Sequence, residues 1–124
     1  MPHDDIRALA QRFFDAIERG DIAAVRGCYA PDAVIWHNTD LAEQPPEENL
    51  KTLANFIKHV PERRYVERRL DIFAGGFAQQ HLLKVKLASG KEVSLAACLV
   101  CRVAAGRITR LDEYFDSAAL AAWR

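Results

Sequence analysis

The sequence predicts an α+β fold in which a curved, mainly antiparallel sheet wraps around N-terminal helices and leaves a cone open at one end. Three observations carry this. Apolar residues in the first half recur at helical spacing, with one short strand between the helices. The second half alternates as strands separated by short glycine turns. The chain has 124 residues and is 50% hydrophobic, enough to bury a core. Helices first and strands second is the α+β order.

Ile6, Leu9, Ala10, Phe13 and Ile17 mark a first amphipathic helix from about Asp4 to Arg19. Gly20 stops it, and Asp21 caps a shorter helix, "IAAVRGCY". "APDA" turns the chain into a short strand, "AVIW", which breaks at His37 and Asn38 into the loop "TDLAEQPP". "EENLKTLANFIKHV" is a third helix, with acids at its start, Leu50, Leu53, Phe56 and Ile57 on one face, and Pro61 just past its end. Four strands follow: "RRYVERRLDIFA", "FAQQHLLKVKLA", "EVSLAACLVCRVA" and "RITRLDEYFD", joined by "GG", "SGK" and "AGR". Turns this short imply an antiparallel meander. "SAALAAWR" closes the chain as a short helix. No repeat, low-complexity tract or boundary divides residues 1–124, so one domain is expected.

Acidic and basic residues balance at 17 each, which gives no footprint for nucleic acid and no disordered acidic tail. Apolar runs are too short to span a membrane. The start, "MPHDDIRAL", lacks the pattern of a secretory signal, so a soluble cytoplasmic protein is expected. Cys28, Cys98 and Cys101 make an odd count, against a disulfide framework. "CLVC" lies in a strand, where residues three apart face opposite sides, so its sulfurs do not converge on a metal. Buried, reduced, structural cysteines are expected. No histidine pair has metal-ligand spacing, and neither metal nor cofactor is expected.

A cone between helices and sheet is a natural pocket for a small apolar molecule. On the last strand Glu113 shares a face with Leu111 and Phe115. Apolar flanks disfavour the charged carboxylate and raise its pKa, as a general acid or base near neutral pH requires. Asp112 takes the other face and reads as a salt bridge or rim contact. In "FAQQHLLKVKL", His81 shares parity with Phe77, Leu83, Val85 and Leu87, so it turns inward as a proton carrier or a core residue. Gln80 points away unless "AQQH" carries a bulge. Trp36 and Asn38 share one face of their strand, and His37 takes the other as a loop contact. Tyr114 reads as a ligand donor or as a core or interface residue.

The order of elements, and "GRITRLDEYFDSAAL" above all, resembles the nuclear transport factor 2-like superfamily in its SnoaL-like branch. That branch includes polyketide cyclases, ketosteroid isomerase and limonene-1,2-epoxide hydrolase. The resemblance covers nearly the whole chain and implies a cone-shaped barrel that often pairs as a dimer. Compared with the epoxide hydrolase, Glu113 stands at the place of a catalytic aspartate, and "WHN" puts Trp36 at the place of a tyrosine while keeping Asn38. The hydrolase's Arg-x-Asp pair falls on Gln80 and Leu82, so half of its catalytic set is missing.

These readings combine into an expected acid–base enzyme of isomerase, cyclase, dehydratase or hydrolase type, acting on an apolar cyclic or polyketide-like compound. Glu113 and His81 are its catalytic candidates, within reach of each other directly or through one water. Trp36, Asn38, Phe115 and Tyr114 are its substrate-binding candidates. The alternatives are a non-catalytic binding protein and a dimeric interaction module. "SLAACLVCRV" is apolar on both faces, and helices cover only one, so a homodimer through the outer sheet face is expected.

Overall fold

The structure, a computed structural model, describes residues 1–123, with the side chains of 122 and 123 excepted. The chain runs α1 (His3–Arg19), α2 (Ile22–Cys28), β1 (Tyr29–His37), β2 (Glu43–Gln44), α3 (Pro46–His59), β3 (Glu62–Phe73), β4 (Gly76–Lys86), β5 (Glu92–Ala104) and β6 (Arg107–Phe115). A 3₁₀ segment, Ser117–Trp123, follows. The expected terminal helix extends to Arg124, which lies outside the described residues.

The six strands form one sheet in the order β2-β1-β6-β5-β4-β3. The four long strands are the expected meander, and β1 joins it beside β6 in parallel. The expected loop after His37 contains β2, which pairs antiparallel with β1 and forms the edge. Glu43 fixes it there through Arg110 Nη1, 2.7 Å from its Oε2. Arg110 Nε also donates to Asp112 Oδ1 at 3.0 Å, so Asp112 is the salt-bridge residue its position implied.

The helices cover one face of the sheet. Ile6, Leu9, Phe13, Phe14 and Ile17 of α1 pack in one core with Phe77, Leu99, Cys101, Ile108 and Leu111 of the strands. α1 ends because Gly20 takes a left-handed φ of 74° and donates its N–H to Ile17 O, while Asp21 N reaches Ala16 O. Asp21 then caps α2, its Oδ1 accepting from Ala24 N at 3.0 Å.

Arg63 ties these ends together. It is 8% exposed. Its Nε donates to Ile17 O (3.0 Å), its Nη2 to Glu18 O (3.0 Å) and its Nη1 to Val60 O (2.7 Å). One guanidinium thus satisfies carbonyls at the end of α1 and just beyond α3, where Pro61 supplies no N–H.

β3 carries a bulge, between its Val66–Leu82 and Arg69–Gln80 pairs, with Glu67 at a φ of 54°. The extra residue turns Arg68 back onto α1, where it meets Asp15 (2.9 Å) and Glu18 (3.2 Å). β4 itself pairs with β5 without interruption. Gln80 therefore keeps its outward direction and meets Arg69 at 2.8 Å. Cys28 and Cys101 are buried, whereas Cys98 is only half-buried, because it stands on the sheet's outer face rather than in the core. Among the described residues, no helix is long and apolar enough to cross a membrane.

Candidate functional site

The open end of the cone holds a cavity of about 390 Å³ between α1, α3 and the inner sheet face. Phe13, Phe14, Leu83, Leu95, Leu99 and Leu111 give it an apolar body. Its polar groups gather where β1, β2 and α3 meet: His37, Thr39, Asp40, Gln44, Asn49 and Thr52, with Glu113 beside them. Volume and lining suit a small, largely apolar ligand with a few oriented polar atoms.

Glu113 turns into this cavity with Leu111 and Phe115, as alternation on β6 requires. Its partner is His37. The parallel pairing of β1 and β6 sets His37 directly beside Glu113, and His37 Nε2 lies 3.1 Å from Glu113 Oε1. Both side chains are about three-quarters shielded, at 22% and 24% exposure. The hydrogen bond to Glu113 raises the His37 pKa above its ordinary 6.5, against the opposing cost of burial, and the charges of Glu113 and Asp40 add to the rise. A histidine that accepts a proton readily is thus held against a carboxylate on a cavity wall. Glu113 thus has a basic partner as well as its apolar flanks Leu111 and Phe115.

Asn38 fixes the geometry rather than lining the cavity. Its Nδ2 donates to Phe115 O at 3.0 Å, and its Oδ1 accepts from Phe115 N at 3.1 Å. With Asn38 N on Glu113 O (3.0 Å), these bonds lock the end of β1 to β6 next to the His37–Glu113 pair. Trp36 points to the outer sheet face and packs edge-on against Tyr114, with centroids 5.2 Å apart. Tyr114 is 47% exposed there. The expected placement of Trp36, Asn38 and Tyr114 on a ligand in the cone is therefore corrected. Ala33 and Ile35, at 3% and 0% exposure, are the most buried residues in the later part of β1, and His37 shares their parity. That signal was in the sequence. Phe115 does line the cavity.

His81 turns inward as its parity requires, but into the core beneath the cavity. It is 5% exposed, between Phe14 (5.3 Å) and Tyr65 (4.6 Å). Gln79 Nε2 donates to its Nδ1 at 3.0 Å, which leaves the ring proton on Nε2, buried without a partner. Burial lowers its pKa to about 4; the Glu113 charge opposes this and the Arg68 charge adds to it. The expected Glu113–His81 pair is corrected to Glu113–His37. A neutral, wedged imidazole suits packing better than proton transfer.

Residues 10–111 match the SnoaL-like domain. The chain belongs to the SnoaL-like family. Similar folds occur in AclR, a proposed hydroxylase from Streptomyces galilaeus (TM-score 0.88, 15% identity, 98% of this chain and 82% of that one). An NTF2-like protein of unknown function from Burkholderia pseudomallei shares the fold as well (TM-score 0.80, 17% identity, 94% of each chain). So does an LEH-like epoxide hydrolase from M. tuberculosis (TM-score 0.75, 20% identity, 94% of this chain and 86% of that one). Further solved SnoaL-like and related structures are proposed polyketide cyclases and an isomerase. No curated protein sequence matches the chain. At these identities the likeness establishes the fold, and chemistry must come from the site. In this SnoaL-like chain Gln80 and Leu82, the positions at which the resemblance looked for an Arg-x-Asp pair, stand on the outer face and not in the cavity.

Proposed function

We propose that this SnoaL-like protein is an acid–base enzyme acting on an apolar cyclic carbonyl compound held in the cone. The observation that carries this is the His37–Glu113 contact of 3.1 Å on the wall of a mainly apolar cavity. Glu113, as the carboxylate, removes a proton from the carbon beside the carbonyl. His37, kept protonated to higher pH by Glu113, donates toward the oxygen that becomes an enolate. The proton on Glu113 then returns to the same or another carbon, so the cycle is balanced without a cofactor. Isomerisation, cyclisation and dehydration can all begin with this step.

Proton exchange tests the role before any substrate is known. Cyclic ketones are incubated in D₂O with the protein, and loss of the α-proton signals is followed by NMR. Wild type should accelerate exchange for at least one ketone that binds. Glu113→Gln keeps the shape and removes the base, so it should slow the protein-dependent exchange by about two to four orders of magnitude. Saturable binding of several ketones without acceleration would instead favour a carrier or sensor with the same pocket.

A further inference from the structure

We propose that Gln44 is a specificity residue, which selects ligands carrying an O–H or N–H donor on the side of the molecule away from the reacting carbonyl. This rests on the acid–base reading for the position of that carbonyl, but the selection itself is a binding property.

Among the described residues, two buried side-chain polar atoms have no hydrogen-bond partner: His81 Nε2 and Gln44 Oε1. Of the two residues, only Gln44 lines the cavity. An amide oxygen out of water and without a donor is unfavourable, and nearby protein groups do not relieve it. Asn49 Oδ1 accepts from Tyr29 Oη at 2.9 Å, and Asp40 Oδ1 accepts from Ala42 N at 3.0 Å. His37 and Glu113 face each other. Because Gln44 lines the cavity, a turn of its amide toward that space would let a ligand O–H or N–H supply the missing donor. A ligand lacking one would leave the oxygen buried and unpaired, and such a site discriminates strongly against ligands without the donor.

Sheet register gives the span. Gln44 pairs with Ile35 on β1, and His37, two residues along, pairs with Glu113 on β6. Strands lie about 4.8 Å apart and rise about 3.3 Å per residue, so the Gln44 Cα stands roughly 8 Å from that of His37 and about 12 Å from that of Glu113. A ligand reaching both ends needs a rigid body of about two fused rings, with carbonyl and donor at opposite ends. The backbone of Gln44 is held at this position by its pairing with Ile35 on β1.

Three bicyclic probes separate the possibilities: 1-tetralone, 6-hydroxy-1-tetralone and 6-methoxy-1-tetralone. Their affinities are measured by calorimetry on wild type, Gln44→Leu, Gln44→Glu and Glu113→Gln. Wild type should bind the hydroxy compound at least about fivefold tighter than either of the others. Gln44→Leu should bring that ratio to about one, and Gln44→Glu, still an acceptor, should retain it. Equal binding of the three by wild type, a preference that survives Gln44→Leu, or no binding of the hydroxy compound would overturn the assignment. Glu113→Gln should keep the preference while losing proton exchange. A preference lost in Glu113→Gln but kept in Gln44→Leu would place the donor's partner at the wrong end of the cavity. Failure of the Gln44 role is thus read in affinity ratios, and failure of the acid–base role in exchange rates.

Discussion

Replacing His81 by glutamine should make the protein less sensitive to acid. His81 is 5% exposed, wedged between Phe14 and Tyr65, with its pKa lowered from 6.5 to about 4. The unfolded chain therefore takes up this proton below about pH 6.5, whereas the folded chain resists it until about pH 4. Stability contributed by the neutral ring is complete above 6.5, is lost as the pH falls toward 4, and changes no further below that. At about 1.36 kcal/mol for each pH unit, the whole effect is at most about 3 kcal/mol. With a typical urea slope of about 2 kcal/mol per M, the unfolding midpoint moves by roughly 1.5 M. His37 does not obscure this, because its pKa is raised. Its contribution is complete below 6.5 and is lost only as the pH rises through its folded value. Carboxylates add their own acid loss, but to both proteins. Urea unfolding of wild type and His81→Gln from pH 7.5 to 4 should thus give curves that diverge in acid, wild type losing more. Glutamine can still bond to Gln79, so a constant offset between the proteins is immaterial. Curves parallel to within about 0.5 kcal/mol would show that His81 is not held neutral by burial, and would return it to consideration as a proton carrier.

Arg63→Met should cost about 3 kcal/mol or more, because it keeps most of the side-chain volume but leaves the carbonyls of Ile17, Glu18 and Val60 without their donor, at roughly 1–3 kcal/mol for each buried group left unpaired. At about 0.26 kcal/mol per degree for a chain of this length, the melting temperature should fall by at least about 10 °C in calorimetry; a loss under 1 kcal/mol would refute the clamp. Glu113→Gln should lower the His37 titration midpoint, followed through its ring protons by NMR, because the carboxylate is the main cause of its rise. An unmoved midpoint would break the pair on which the site depends. The outer sheet face carries Trp36, Val66, Leu82, Cys98, Val100 and Tyr114, all partly exposed in the single chain. Two copies should pair across it, so light scattering at micromolar concentration should report a dimer and Leu82→Glu a monomer; a monomeric wild type would reject the pairing.

Local pattern was enough for the fold because its elements announce themselves within a few residues of each other. α1 shows its apolar stripe and its Gly20 stop, and the meander shows its turns. What local pattern could not supply was register between segments far apart in sequence. The bulge at Glu67 lies in a stretch of charges with no glycine or proline to mark it, and it decides that Arg68 turns back onto α1. β2 is two residues long inside a polar loop, and only its pairing with Ile35 brings Gln44 to the cavity. The candidate site was half legible. Alternation puts Glu113 inside, and the same rule applied from Ala33 and Ile35 puts His37 inside and Trp36 outside. The analogy that gave Trp36 and Asn38 to the cone ran against that parity, and parity prevailed because a one-residue slip would send Ile35 to the outer face. That His37 meets Glu113, rather than another inward residue, depends on the irregular stretch between Tyr29 and Val34, where five steps on β1 oppose two on β6. Asn38, bonded to both backbone groups of Phe115, holds the register that results. The polar end of "AVIWHNTD" thus divides two tasks between neighbours: the amide fixes the strands, and the imidazole, on the opposite face, meets the cavity.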